Sequence, residues 1–545
     1  VHDINVHNEE DLLKEIPSET LFLALKNASA DITHWFFENA EPTQVRALID
    51  LNCWESDKFL PDVFDLFFKN MAIQSPDKLA DYLKSLDSEI WVRGLLSVAD
   101  VGDFDPQNPP LDVPENELLL SPDSKYYLKL KTKDPSQKEA LRIWLNSSSI
   151  ADIDLQRKLL EACKWELISD LDEFQYQMKK GRLEELGFVD YFEAIALYAV
   201  GDTETFKTKL LANPFTNKIQ SLKSKSVDDV ELDNELDSTL LPDLILGSKT
   251  LGQSYFSEIL NLFDSHSNER QLLQVELART LNGALSADKL LPKSLESISE
   301  GIERSHSYLS LGLLILSKGQ PKEAQNILLT QKFDFILRLG WLSVQDLVKA
   351  SQALLKVYGL LIYDSADRDF LKALKGRHPK LSVEILNNVD LNFKSELKNF
   401  DIKSLLKLGQ CVEQLGAFAV WVSTPEIRKF IGIPEYPFLV GESALVRLNN
   451  AIFRMSVDIK SDSFVGAPLS LKEWKLGSVA FNGEKYDLET ESLIKQAPEL
   501  LKPLLQKRIQ SLGQELKSYL STQKTKGLPD LRFFEALSFQ KEQES

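Results

Sequence analysis

The chain has 545 residues, 43% hydrophobic and 27% charged, which is enough apolar side chain for a large core and too much for a chain disordered as a whole. Its formal net charge of −19 argues against nonspecific binding to nucleic acid or to an anionic membrane surface, since either needs a basic face. Three scattered cysteines, Cys53, Cys163 and Cys411, make a poor disulfide framework, so a reducing, cytoplasmic setting is expected.

The charge is uneven. Residues 1–150 hold 27 acidic against 14 basic side chains, a net of −13, so a surface that recognises a cationic partner is expected in this part. The start, VHDINVHNEE, has neither the basic region nor the apolar core of a signal peptide, and the longest apolar run, near Leu311 to Leu316, is far shorter than a membrane span. No membrane span is predicted.

From Ser18 to about Asp100 the apolar spacing predicts a series of helices of about ten residues each: Leu21, Phe22, Leu25; Ile32, Trp35, Phe36; Val45, Leu48, Ile49; Val63, Phe67, Met71; Leu79, Tyr82, Leu83; Ile90, Leu95. Pro42, Pro61 and Pro76 each suit the first turn of a helix. Helices this short need neighbours, which predicts stacked hairpins in the manner of an α-solenoid. The stretch resembles the cytoplasmic N-terminal helical domain of MgtE magnesium transporters in its pattern of short helices, though not in a ligand motif. Without an apolar stretch of membrane length, the chain is not expected to be such a transporter.

Residues 101–116 are rich in Pro, Asp and Asn and read as a loop. Asp103, Asp105 and Asn108 invite comparison with a calcium loop, but the Gly and the twelfth-position Glu of that motif are absent. Leu118 to Leu120 and Lys125 to Lys131 flank Ser121-Pro122-Asp123-Ser124 and predict a β-hairpin, with Tyr126, Leu128 and Leu130 on its dry face. Helices follow over Gln137 to Ser147 and Ile153 to Lys164.

The stretch 165–199 organises the reading. Trp165, Ile168, Leu171, Phe174 and Met178 recur at helical spacing and are expected to face the core. Lys179 and Lys180 suit the C-terminal end of a helix dipole, and Gly181 is expected to end the helix. Asp190 with Glu193 reads as a capping box that opens a second helix, whose inner side carries Tyr191, Ile195 and Tyr198. Trp165-Glu166-Leu167, Gly181-Arg182-Leu183-Glu184-Glu185-Leu186-Gly187-Phe188, Asp190-Tyr191, Glu193-Ala194 and Tyr198-Ala199 resemble the signature of an uncharacterised bacterial, mainly deltaproteobacterial, family of unknown function. The similarity runs from about residue 15 to about residue 390. That resemblance implies bacterial origin and architecture, and no activity. Within the stretch, Glu166, Asp170 and Glu173 are placed on one helix face, where oxygen ligands could hold a hard cation; a solvated acidic face is the plainer reading. Trp165, Glu166, Tyr176, Arg182, Asp190 and Tyr191 are the candidate partner or ligand surface.

Residues 216–240 lose periodicity and read as an exposed connector. Gly247 to Ser254 superficially resembles a phosphate-binding loop, but Gln253 stands where that motif needs Lys, so a loop leading into a helix is the plainer reading. Tyr308, Leu311, Gly312, Ile315, Gly319, Ala324 and Leu328 match the spacing of one tetratricopeptide-like helical hairpin, with Gly312 and Ala324 where helices approach closely. Further helices are predicted over Val344 to Leu361, Asp367 to Leu374, Asp401 to Val422 and Ser443 to Ser456. Asn482-Gly483 between Val479 to Phe481 and Glu484 to Tyr486 predicts a small β-hairpin. Leu501, Leu505, Ile509, Leu512, Leu516 and Tyr519 form a seam that could join two copies of the chain, or dock on its own domain.

The six histidines show no metal-ligand spacing, and no nucleophile elbow, paired Cys-x-x-Cys or Rossmann glycine pattern is present. Ser75-Pro-Asp-Lys78 has Ser-x-x-Lys spacing, but Pro76 as a first helical residue explains it. No catalytic residue, metal site or cofactor is predicted, although acids distant in sequence could still meet in the fold.

The expected fold is mostly α, built of solenoid-like stacked hairpins with one or two small β-hairpin insertions. Its parts are a short-helix domain (1–100), a loop and hairpin (101–134), a central helical unit (135–215), a connector (216–240), a helical-hairpin domain (241–400) and a C-terminal helical region with a small β-hairpin (401–545). The expected function is a cytoplasmic protein-interaction scaffold or adaptor. Alternatives are an enzyme or small-ligand binder with carboxylates and aromatics near 165–199, and a divalent-cation-sensitive regulatory module.

Overall fold

A computed structural model describes residues 9–107, 110, 114, 118–131, 134–212, 214, 218, 254–265, 267–358, 365–379, 402–431, 444–460, 465, 469 and 471–523. Among these the protein is mostly helical, with 23 α-helices and two small antiparallel sheets, as the sequence leads one to expect. The chain forms two compact units, Val1–Trp341 and Leu342–Ser545.

The first unit opens with the short-helix series: α1 (Glu9–Glu15), α2 (Ser18–Leu25), α3 (Ala30–Asn39), α4 (Pro42–Asn52), α5 (Pro61–Ala72), α6 (Pro76–Ser85) and α7 (Ser88–Val98). Proline opens α4, α5 and α6, where its missing N–H costs nothing. Ser75 caps α6 by accepting from the Lys78 N–H at 3.3 Å, which confirms the helix-start reading of that Ser-x-x-Lys. In α3 the buried side is Phe36 and Phe37, while Ile32 and Trp35 face out. Phe68, Trp91 and Trp144 meet in the core at ring separations of 6.2–6.3 Å, each contributing on the order of 2–3 kcal/mol of apolar burial.

Two small sheets interrupt the helices. β1 (Trp54–Glu55) and β2 (Lys58–Phe59) make a short hairpin that the sequence did not announce. The expected hairpin is present as β4 (Leu118–Leu120) with β5 (Tyr126–Leu130), and β5 also pairs with β3 (Ala99–Asp103) on its other edge. The first residues of the expected 101–116 loop are therefore a strand. Asp103, compared above with a calcium ligand, pairs with Lys164 at 2.8 Å, and Asn108 lies outside the described residues.

Helix α8 (Pro135–Trp165) breaks at Asp152, whose φ of −163° is extended and whose carboxylate accepts from the Leu155 N–H at 2.9 Å, so it caps a second helical half. The two predicted helices are these halves. Next, α9 (Ile168–Glu185) runs through Gly181 without a break, contrary to expectation. The turn comes at Gly187, whose φ of 76° places it in the left-handed region, with the Phe188 N–H bonded to the Leu183 carbonyl at 2.8 Å. The expected second helix is only α10 (Tyr191–Ala194) and a single 3₁₀ turn, Ile195–Tyr198, followed by α11 (Thr203–Ala212).

The expected connector 216–240 lies outside the described residues, except Lys218, which is buried and pairs with Glu276 at 2.6 Å. Of the phosphate-loop look-alike only Ser254 is described, and it caps α12 (Tyr255–Leu260). There follow α13 (Asn268–Ala287), α14 (Leu295–Ser317), α15 (Pro321–Thr330) and α16 (Phe333–Tyr358), whose part up to Trp341 belongs to the first unit. α14 and α15 are consecutive helices packed on each other, the helical hairpin expected there. Gly312, however, serves a different neighbour: a Cβ there would lie 1.9 Å from the Ile336 carbonyl oxygen, and one at Gly340 would lie 2.0 Å from that of Tyr308, so α14 and α16 cross backbone to backbone.

The second unit holds α17 (Ser365–Ala373), α18 (Ile402–Val422), α19 (Pro425–Ile431), α20 (Ala444–Ser456), α21 (Leu471–Ala480), α22 (Gly483–Gln496) and α23 (Lys502–Gln523). The β-hairpin expected at 479–486 is absent. Asn482 sits at φ −119° and accepts from the Glu484 and Lys485 N–H groups, so it caps α22 where a tight turn would need a left-handed residue. The seam of α23 is also accounted for. Leu501, Leu505, Ile509 and Leu516 are buried within this unit, where α23 packs on α20 and α22, so they are not available to join two copies of the chain.

Candidate functional site

Helix α9 is turned differently from the sequence expectation. Trp165 (74% exposed), Leu167, Ile168, Phe174 (49%) and Met178 (44%) face solvent, and only Leu171 of the expected stripe is buried. The inward side instead carries Gln175, Tyr176, Lys179 and Leu183. Lys179 and Arg182 can point inward here because oxygen acceptors wait for them on the short-helix series and the turn between β1 and β2, and Tyr176 because Asp190 accepts from its hydroxyl; the Gln175 amide nitrogen is buried without a hydrogen-bond partner among the described residues.

Arg182 is the main one. Its Nε and Nη2 donate to the two oxygens of Asp50 on α4, at 2.7 and 2.9 Å, and its Nη1 donates to Asp87 at 2.6 Å. Burial pushes the Asp50 carboxyl up, while the hydrogen bonds and charge of Arg182 pull it back. A bidentate guanidinium between two carboxylates ties α9 to α4 and to the residue that precedes α7.

One turn away, Lys179 is 6% exposed. Its ammonium donates to the Ser56 carbonyl at 2.8 Å, in the turn between β1 and β2, and stands 5.0 Å from the Trp54 ring and 5.1 Å from the Tyr176 ring. Burial lowers its pKa to about 8, against the pull of Asp50, Asp190 and Asp57. Tyr176 donates its hydroxyl to Asp190 at 2.5 Å, and Asp190 also caps α10 by accepting from the Phe192 N–H at 3.0 Å.

These residues surround a small cleft of about 40 Å³ that opens to solvent, room for a few waters or one small ion and well below the volume of a site for a drug-sized ligand. Asp50, Trp54 and Ser56 line one side, Lys179, Lys180, Asp190 and Tyr191 a second, and Ser286, Lys289 and Leu291 a third. The Lys289 ammonium lies 4.9 Å from the Tyr191 ring centre, and Lys180 at the rim pairs with Glu193 at 2.8 Å.

Of the six candidate residues, Asp190 and Tyr191 line the cavity, and Tyr176 and Arg182 brace its wall. Trp165 and Glu166 precede α9, beyond its N-terminal end, which is about 16 Å along the helix axis from Lys179. There the Trp165 indole donates to Glu161 at 2.9 Å. Glu166 is the C-cap of α8, so it does not share a helix with Asp170 and Glu173. Among the described residues no group of three or more His, Cys, Asp or Glu side chains is placed to hold a metal ion, and no helix is long and apolar enough to cross a membrane.

Sequence reasoning missed Asp50, Trp54, Lys179 and Lys289 as site residues. Lys179 shares a face with Leu171, Gln175 and Leu183 at helical spacing, which is the only local signal; the others come from distant elements and have none.

No curated protein and no solved structure matches the chain. A family model does match, over residues 4–417, and on that match the chain belongs to DUF6178, a family of unknown function.

Proposed function

We propose that this chain is a protein-interaction scaffold that docks a partner on the outward side of α9 and the corner before it. The observation that supports this reading is the stripe of Leu167, Phe174 and Met178, left in solvent with Trp165 close by in sequence. At 100° per residue the three stripe positions fall within a sector of about 40°. Around the helix from them come the exposed carboxylates of Asp170, Glu173 and Glu184. The fitting occupant is therefore a partner segment with an apolar helix face flanked by Lys or Arg.

The test is a quantitative pull-down from the source cell with the full chain, wild type against Phe174→Glu/Met178→Glu. A partner enriched by the wild type, lost by the variant and weakened by added salt supports the reading. No partner above background, or equal recovery by the variant, overturns it.

A further inference from the structure

The wall of the cavity beside α9 is positive although the chain as a whole carries −19. Its two carboxylates are already engaged: both Asp50 oxygens accept from Arg182, and the Asp190 oxygens accept from the Tyr176 hydroxyl and the Phe192 N–H. Its lysines are less satisfied. Lys180 is held by Glu193, but Lys179 has one oxygen acceptor among the described residues, the Ser56 carbonyl, and Lys289 has none. An ammonium carries three N–H donors, and a buried one left with a single acceptor bears a desolvation cost that an incoming oxygen would remove.

Lys289 adds an independent observation. It follows α13 and its cap, at φ 56°, in the left-handed position that Gly or Asn usually fills at a helix end. The Leu290 N–H closes that turn on the Leu285 carbonyl at 2.9 Å, so the chain holds a long cationic side chain at a point where the backbone favours none.

We propose that this cavity binds a small oxyanion, a phosphate or carboxylate group, between the ammonium groups of Lys179 and Lys289, with the Trp54 and Tyr191 rings beside those two cations. The site is separate from the docking stripe, which lies on the outward side of the same helix, so either can fail without the other.

The test is calorimetry and thermal unfolding of the full chain with inorganic phosphate and, separately, succinate, each against sodium chloride at equal ionic strength. Saturable binding of at least one of them is expected, and which one binds tells phosphoryl from carboxylate recognition. Lys179→Met and Lys289→Met are each expected to weaken it at least ten-fold, and Lys375→Met on the surface of the second unit to leave it unchanged. If Lys179→Met does not fold, the half-exposed Lys289 still decides the matter. No saturable binding beyond chloride, or binding that survives Lys289→Met undiminished, overturns the proposal.

Discussion

Helices α9 and α23 both carry apolar residues at three- and four-residue steps, and they use them in opposite ways. In α23 the stripe goes inward: Leu505, Ile509 and Leu516 are buried, as is Leu501 just before the helix, and the Tyr486 ring of α22 packs so closely that a Cβ at Gly513 would lie 2.5 Å from it. In α9 the stripe of Leu167, Phe174 and Met178 stays in solvent, and Lys179 and Arg182 turn toward Ser56, Asp50 and Asp87. The difference teaches that an amphipathic period fixes which residues share a side, while the neighbours decide which side goes in. Against apolar helices the Leu side wins. Against a surface where α4, the residue before α7 and the turn between β1 and β2 offer two carboxylates and a carbonyl, the cationic side wins.

The largest contrast is expected between Ile509→Asp and Phe174→Asp. The first places an unpaired carboxylate among packed apolar side chains and is expected to cost more than about 4 kcal/mol, enough to unfold the second unit. The second changes an exposed side chain and is expected to stay within about 0.5 kcal/mol. Urea unfolding followed by limited proteolysis of each unit reads both, and equal costs would break the contrast.

Next in size is Arg182→Met. It leaves Asp50 buried without its guanidinium and is expected to destabilise the first unit by about 3–5 kcal/mol. Adding Asp50→Asn should recover a large part of the loss, because the two residues act as a pair. Additive losses in the double-mutant cycle would mean that the pair does not hold α9 in place.

Lys179→Met sharpens the same point through pH. The folded-state pKa of Lys179 is lowered to about 8 from 10.5, so between those values the unfolded chain binds more protons than the folded one. Wild-type stability is therefore expected to rise from pH 8 to pH 10.5, with the burden of the buried cation, on the order of 3 kcal/mol, fully present below pH 8. Lys179→Met should remove its share of that rise, as seen in denaturant midpoints across the range, while Lys26, whose pKa burial likewise lowers to about 8, keeps its own. The smallest expected effect is that of Phe174→Ser/Met178→Ser, which should leave the thermal midpoint unchanged while altering only what binds.

The fold was legible wherever local chemistry decides it. Proline at positions 42, 61 and 76 opens α4, α5 and α6, and the alternation around Leu128 makes β5. It was not legible where a side chain had two local uses. Asn482 suits a tight turn or a helix cap, and the helical spacing of Tyr486, Thr490 and Leu493 favours the cap. Gly181 suits a helix end, but inside α9 nothing lies within 4 Å of where its Cβ would be and the helix continues to Glu185. The candidate site was half legible. Asp190 and Tyr191 lie in the stretch that organised the reading, whereas the carboxylate that engages Arg182 sits 132 residues away in sequence, and no local pattern connects them.

The accessibility of two adjacent positions on α9 reads directly which side of the helix faces in. Cys53, Cys163 and Cys411 are all buried, so an introduced thiol can be followed against a low background. In the native chain, Met178→Cys should react with a thiol reagent at nearly the rate of a small free thiol, and Lys179→Cys, at the bottom of the cleft, should react far more slowly than position 178. A protected position 178 beside an open position 179 would mean that α9 is inserted with its apolar side inward, and would contradict the account.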